Sequence, residues 1–118
     1  DETGSSRAAR WKSFLRTPGD VLADVASIIA TRGESHGNWD ENMTCIARLW
    51  SAYLGQPLQL EAREVGVMLA LVKVGRMAGG TFNRDDYDDM VGYAAIAAAI
   101  AEKDVNASKV HDKRGDSG

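Results

Sequence analysis

The chain has 118 residues, 44% of them hydrophobic and 26% charged, with a net charge of −3. That length suits one domain able to bury its own core, and the composition excludes a disordered chain. The mild negative charge gives no reason to expect nucleic-acid binding, which draws on a basic face, and no apolar run approaches the roughly 20 residues of a membrane span. The single cysteine, Cys45, falls on an apolar helical stripe, as a small buried thiol in a reducing compartment would, so the expected location is the cytoplasm.

Residues 1–17 read as an N-terminal extension, polar at first and then carrying Trp11, Phe14 and Leu15 at a spacing fit for one helical turn packed on the body. Thr17-Pro18-Gly19-Asp20 is a helix start: threonine caps, proline suits the first helical position, and the acid three residues on completes a capping box. Val21, Leu22, Val25, Ile28 and Ile29 make the apolar face of this helix, and Gly33 is its expected left-handed stop. Asn38 opens the next helix, in which Trp39, Met43, Ile46, Trp50, Tyr53 and Leu54 share a stripe that ends at Gly55-Gln56-Pro57. Between the two, the glycines around His36 allow close approach of backbone to a ligand.

A third helix begins at Glu61, with Glu64, Met68, Leu71 and Gly75 expected on its core face and Val65, Leu69 and Val72 widening it. Gly79-Gly80 ends it. Asn83 caps a fourth, in which Asp86, Asp89, Tyr93, Ile96 and Ile100 form one stripe. No period-2 alternation of useful length occurs, so the expected fold is all-α, a four-helix bundle over residues 18–103 with antiparallel sequential neighbours. Residues 104–118 are expected to form a disordered C-terminal tail. The third and fourth helices are apolar nearly all round, which predicts burial on more than one side and therefore a homodimer or higher oligomer.

Chemistry concentrates at the start of the fourth helix, where Asp85, Asp86, Asp88 and Asp89 stand together. The helix dipole accounts for acids in a first turn, but Asp89 lies in the second and shares the core stripe. Asp86 and Asp89, three residues apart, have the spacing to share a hard divalent cation such as magnesium. A helical rise of about 1.5 Å per residue sets them opposite residues 74–77, where the nearest charges are Lys73 and Arg76. Glu61 and Glu64 lie on the order of 15 Å further along the hairpin by the same rise. The cations serve either as structural partners of the aspartates or as a grip on phosphate that the acids orient. Neither a zinc site nor a catalytic triad can be assembled around Cys45, His36 and His111.

The run from Asp86 to Ala95 after Leu71-Val72-Lys73-Val74-Gly75-Arg76, together with Arg32-Gly33, His36-Gly37 and the segment from Leu49 to Leu54, resembles small phage and prophage proteins of unknown function over residues 20–100. More distantly, the hairpin resembles the MazG-like all-α nucleoside triphosphate pyrophosphohydrolases. That resemblance implies magnesium held by Glu-x-x-Glu on one helix and Glu-x-x-Asp on the next, in dimers or tetramers. The second motif falls on Asp86 and Asp89; the first falls on Lys73 and Arg76, which are not metal ligands.

The expectation from this departure is a phage-type protein that binds a nucleotide or related phosphate ligand in a MazG-like cleft without cleaving it and without a cofactor, one use being to sequester a nucleotide signal. Lys73 and Arg76 would hold phosphate and Asp86 and Asp89 would orient them, with Trp39 or Tyr93 stacking and His36 nearby. The alternatives are a magnesium-dependent pyrophosphohydrolase with Asp86, Asp89, Glu61 and Glu64 as ligands across a subunit interface, and a helical protein–protein interaction module.

Overall fold

In the computed structural model, which describes residues 15–55 and 57–116 and all their side chains except those of residues 35, 36 and 111–116, the chain forms four helices. They are α1 (Pro18–His36), α2 (Trp39–Leu54), α3 (Ala62–Gly79) and α4 (Arg84–Asp116), and no strand occurs among the described residues. The expected packing of Trp11 and Phe14, the side chain of His36, and Gln56 lie outside the described residues.

Local chemistry sets the boundaries. The Thr17 hydroxyl accepts from the Asp20 N–H at 3.1 Å while the Thr17 N–H donates to the Asp20 carboxylate at 3.0 Å, with Pro18 at the first position. Asn38 Oδ1 accepts from the Asp40 N–H at 2.9 Å and opens α2, and Asn83 Oδ1 accepts from the Asp85 N–H at 3.0 Å at the head of α4. Glu61 and Glu64 form a reciprocal box at the head of α3, Glu61 N–H donating to Glu64 Oε1 at 3.0 Å.

Two expected ends move. Gly33 stays inside α1, which continues to His36 and stops at Gly37, the residue that takes the positive φ of 84°. Alpha-helix α4 continues past 103 to Asp116, because Ala, Lys and Glu around 101–109 are good helix formers and no glycine or proline interrupts them before Gly115.

The most extensive packing is the antiparallel hairpin of α3 and α4: Gly66 lies against Ala97 and Tyr93, and Lys73 reaches back to Asp89. Helix α1 also packs on α4, with Gly92 letting Val25 and Ile29 approach. The buried centre is Met43 and Ala47 of α2, Val65 of α3 and Ile100 of α4, with Trp39, Ile46, Trp50, Leu69 and Ile96 around it.

Several expected core positions are exposed. Leu15 and Leu22 face solvent; so do Tyr53, at 90% exposure, and Leu54. Cys45 is exposed and not a buried thiol, since it lies off the Met43–Ala47 line that meets α3 and α4. On α3 the core face is Val65, Gly66 and Leu69, one residue round from the expected stripe. Met68, Leu71, Val72 and Gly75 consequently turn outward.

Candidate functional site: a cavity between three helices

Helices α1, α2 and α4 leave a cavity of about 370 Å³ between them. Val25, Ile28 and Ile29 line it from α1, Met43 and Ile46 from α2, and Gly92 and Ile96 from α4, with Trp39 and Tyr93 as its aromatic members. The periodicity that makes each helix amphipathic also builds this wall, since all three turn apolar stripes toward one axis. The volume falls in the lower range of small-molecule pockets, which are mostly apolar with a few placed polar groups.

Beside the amide of Asn42, three of those polar groups are charged. Asp88 and Asp89 line the cavity from α4, and Arg32 from the last turns of α1. Asp89 Oδ2 is 3.1 Å from Lys73 Nζ, the two side chains 24% and 15% exposed. Asp88, only 7% exposed, is held by Arg16 through two hydrogen bonds, Nη2 to Oδ1 at 2.7 Å and Nη1 to Oδ2 at 3.1 Å. Arg16 Nη1 also donates to Asp24 Oδ2 at 3.1 Å, and Arg84 reaches the same oxygen at 3.2 Å. The Asp88 carboxylate, with Asp24 beside it, pushes the Arg16 guanidinium above its ordinary pKa. This paired geometry is the strong form of an Arg–carboxylate contact, and it ties the segment before α1 to the head of α4.

The expected site residues therefore separate. Trp39, Tyr93 and Asp89 come together at the cavity, with Lys73 bound to Asp89 from behind. Arg76 lies one turn further along α3, exposed, and does not line the cavity. Asp86 is buried but also lies outside the cavity lining. Glu61 and Glu64 stay at the head of α3, where Glu61 also pairs with Arg63 at 3.1 Å. Among the described residues no three His, Cys, Asp or Glu side chains gather as a metal site.

Sequence reasoning passed over Arg16 and Asp24, and it placed Asp88 in the acidic run without giving it a role. The Arg84–Asp88 spacing of four was legible and corresponds to a 4.0 Å approach, but Arg16 lies 72 residues from Asp88, so only the fold shows that pair. No described helix is long and apolar enough to cross a membrane.

The chain is 34% identical over 86 residues to the Gene 55 protein of Mycobacterium phage D29, covering 72% of this chain and 56% of that protein. It is 32% identical over 77 residues to the Gene 55 protein of Mycobacterium phage L5, covering 64% and 49%. The chain thus spans about half the length of these curated relatives. No solved structure matches it. Residues 20–101, which contain the cavity and its carboxylates, match the family described as a domain of unknown function, DUF6378, and the chain belongs to that family.

Proposed function

We propose that this domain binds a nucleotide-like small molecule in the cavity between α1, α2 and α4 and does not hydrolyse it. The observation that carries this reading is the cavity itself, an apolar pocket with Trp39 and Tyr93 in its lining and Arg32, Asp88 and Asp89 as its charged members, Lys73 pairing with Asp89 from outside. Lys73, and Arg76 one turn beyond it, supply the positive charge available to a phosphate outside the pocket. The α3–α4 hairpin with acids at the head of its second helix supports a MazG-like arrangement. The positions where that family places two further acids hold Lys73 and Arg76, and this favours holding over cleaving. In a phage setting, retention without turnover suits sequestering a nucleotide signal in the host cytoplasm.

A second copy of the chain completes the proposal. Val67, Leu71 and Val74 are exposed on the side of α3 away from Val65 and Leu69, and with Ala94 and Ala98 of α4 they line a groove of about 610 Å³. Apolar helix faces of this kind are usually covered.

Isothermal calorimetry against a nucleotide panel, with and without EDTA, tests the reading. The expected result is saturable binding that EDTA leaves unchanged, with no pyrophosphate released. Absence of heat with every nucleotide sinks it. Loss of binding in EDTA, or pyrophosphate release that disappears in Asp89→Asn, transfers the site to the magnesium-dependent hydrolase.

A further inference from the structure

Within the proposed ligand-binding site, charge is unevenly arranged. The two charged groups that α4 presents to the cavity are carboxylates, and the cations that balance them, Arg16 and Lys73, do not line it. The carboxylates are not equivalent. Asp88 has both oxygens engaged by Arg16, so it has little left to offer a ligand. Asp89 gives Oδ2 to Lys73 and keeps Oδ1 without a hydrogen bond among the described residues, on a side chain that is one quarter exposed.

On the α4 side of the cavity a phosphate would meet these two carboxylates, and like charges at close range repel. A group carrying N–H donors would instead find a charged acceptor that is already fixed in place by Lys73, and a charge-assisted hydrogen bond is stronger than a neutral one. Apart from Arg32 at the end of α1 and Asn42 of α2, the rest of the lining is apolar and aromatic, which suits a flat ring.

We infer that the part of the ligand held inside the cavity is an amino-bearing planar heterocycle, a nucleobase with an exocyclic amine, whose N–H donates to Asp89 Oδ1 while its ring packs on Trp39 and Tyr93. Any phosphate then lies off the carboxylate side of the cavity, toward Arg32 at the end of α1 or, outside, toward Lys73 and Arg76. Asp89 is the residue that sets base specificity, and Lys73 positions it. This inference rests on the proposed function, but it makes a claim that the function alone does not.

Two matched pairs of nucleosides separate them by calorimetry on the full chain: adenosine against inosine and cytidine against uridine, each pair differing in whether an amine or a carbonyl stands at one ring position. Pyrophosphate and ATP complete the series. The expected result is that the amine-bearing member of at least one pair binds about tenfold or more tightly than its partner, and that pyrophosphate alone does not bind. In the double variant Lys73→Met with Asp89→Leu, which removes the acceptor without stranding its cation, that preference should fall to about threefold or less. Circular dichroism reports whether the variant folds, and if it does not, the comparison of ligands on the unaltered chain still decides. Pyrophosphate binding as tightly as ATP with no nucleoside bound would overturn the inference and leave the ligand-binding reading standing. Equal affinity within both pairs would also overturn it. No binding of any of the six compounds would remove both.

Discussion

Thr17 carries two hydrogen bonds of the first turn of α1, one from its hydroxyl and one from its backbone N–H, both shared with Asp20. Replacing an N-cap threonine by alanine typically costs about 1 kcal/mol, so Thr17→Ala should lower the free energy of unfolding by that amount at neutral pH. The same contacts hold the Asp20 carboxyl below its ordinary pKa, the backbone N–H of Thr17 first and its hydroxyl second. A depressed carboxylate contributes stability above its unfolded value and loses it as pH falls through the folded one. The gap between the unaltered chain and Thr17→Ala should therefore narrow from about pH 4 downward. The alanine variant keeps the backbone N–H, so the change in the gap is the hydroxyl's share alone; thermal melts at several pH values check this, and a gap independent of pH would show that the hydroxyl takes no part in holding the Asp20 carboxylate. At Asp89 the partner is closer to the core. Lys73→Met leaves a half-buried carboxylate without its cation and should cost about 1–3 kcal/mol in chemical denaturation. Adding Asp89→Leu should recover part of that loss, because an apolar pair in place of an ion pair leaves no unsatisfied charge.

At the scale of the helices, the tightest point is where α3 crosses α4. A Cβ at Gly66 would stand 2.8 Å from the Ala97 Cβ, 3.2 Å from the Ala97 Cα and 3.2 Å from the Tyr93 carbonyl oxygen. Two of those three neighbours are backbone and cannot turn aside. Gly66→Ala gains about 1 kcal/mol of helix propensity, but overpacking at a fixed contact costs about 1–3 kcal/mol, so the variant should be the less stable protein. Gly75 is the control. It lies in the same helix with open space where a Cβ would stand, and Gly75→Ala should stabilise by about 0.5–1 kcal/mol. Urea denaturation of the two variants should shift midpoints in opposite directions, and a common sign would place the helix contact elsewhere. This crossing also explains what the sequence could show of α3. Its ends were readable, because Glu61, Glu64 and Gly79 act locally. Its buried face was readable only in part: Val65 and Leu69 stood at the flank of the expected face, but apolar residues surround the helix and periodicity does not single them out. The fold chooses Val65 and Leu69 because Gly66, between them, is the one place where α4 can come close.

Over the whole molecule, the cavity was legible only in pieces. Trp39 stood out on one helical stripe, and Asp89 and Tyr93 on another. What joins them is the packing of α1 on α4 through Gly92, a contact that no local pattern announces. The pairing of Asp88 with Arg16 stayed unseen for the same reason, since the two lie 72 residues apart until the chain closes. The same packing leaves α3 covered on one side alone. Its outward residues Glu64, Val67, Leu71, Val74 and Ala78 follow steps of three and four, the spacing of a coiled-coil seam, and Leu71 at 60% exposure stands at its middle. Pairing this face with the same face of a second copy would be isologous, so each outward side chain would be used twice about one axis. Ala94 and Ala98 of α4 border the groove and are small enough to let a second helix approach. Size-exclusion chromatography with light scattering should accordingly give a mass of about two chains at micromolar concentration. Leu71→Glu should return it to one chain without loss of helix content, because Leu71 touches solvent and not the Met43–Val65–Ile100 core within its own copy. A dimer that survives Leu71→Glu would have to use another surface, and a chain that is monomeric from the start would leave α3 exposed to a different partner.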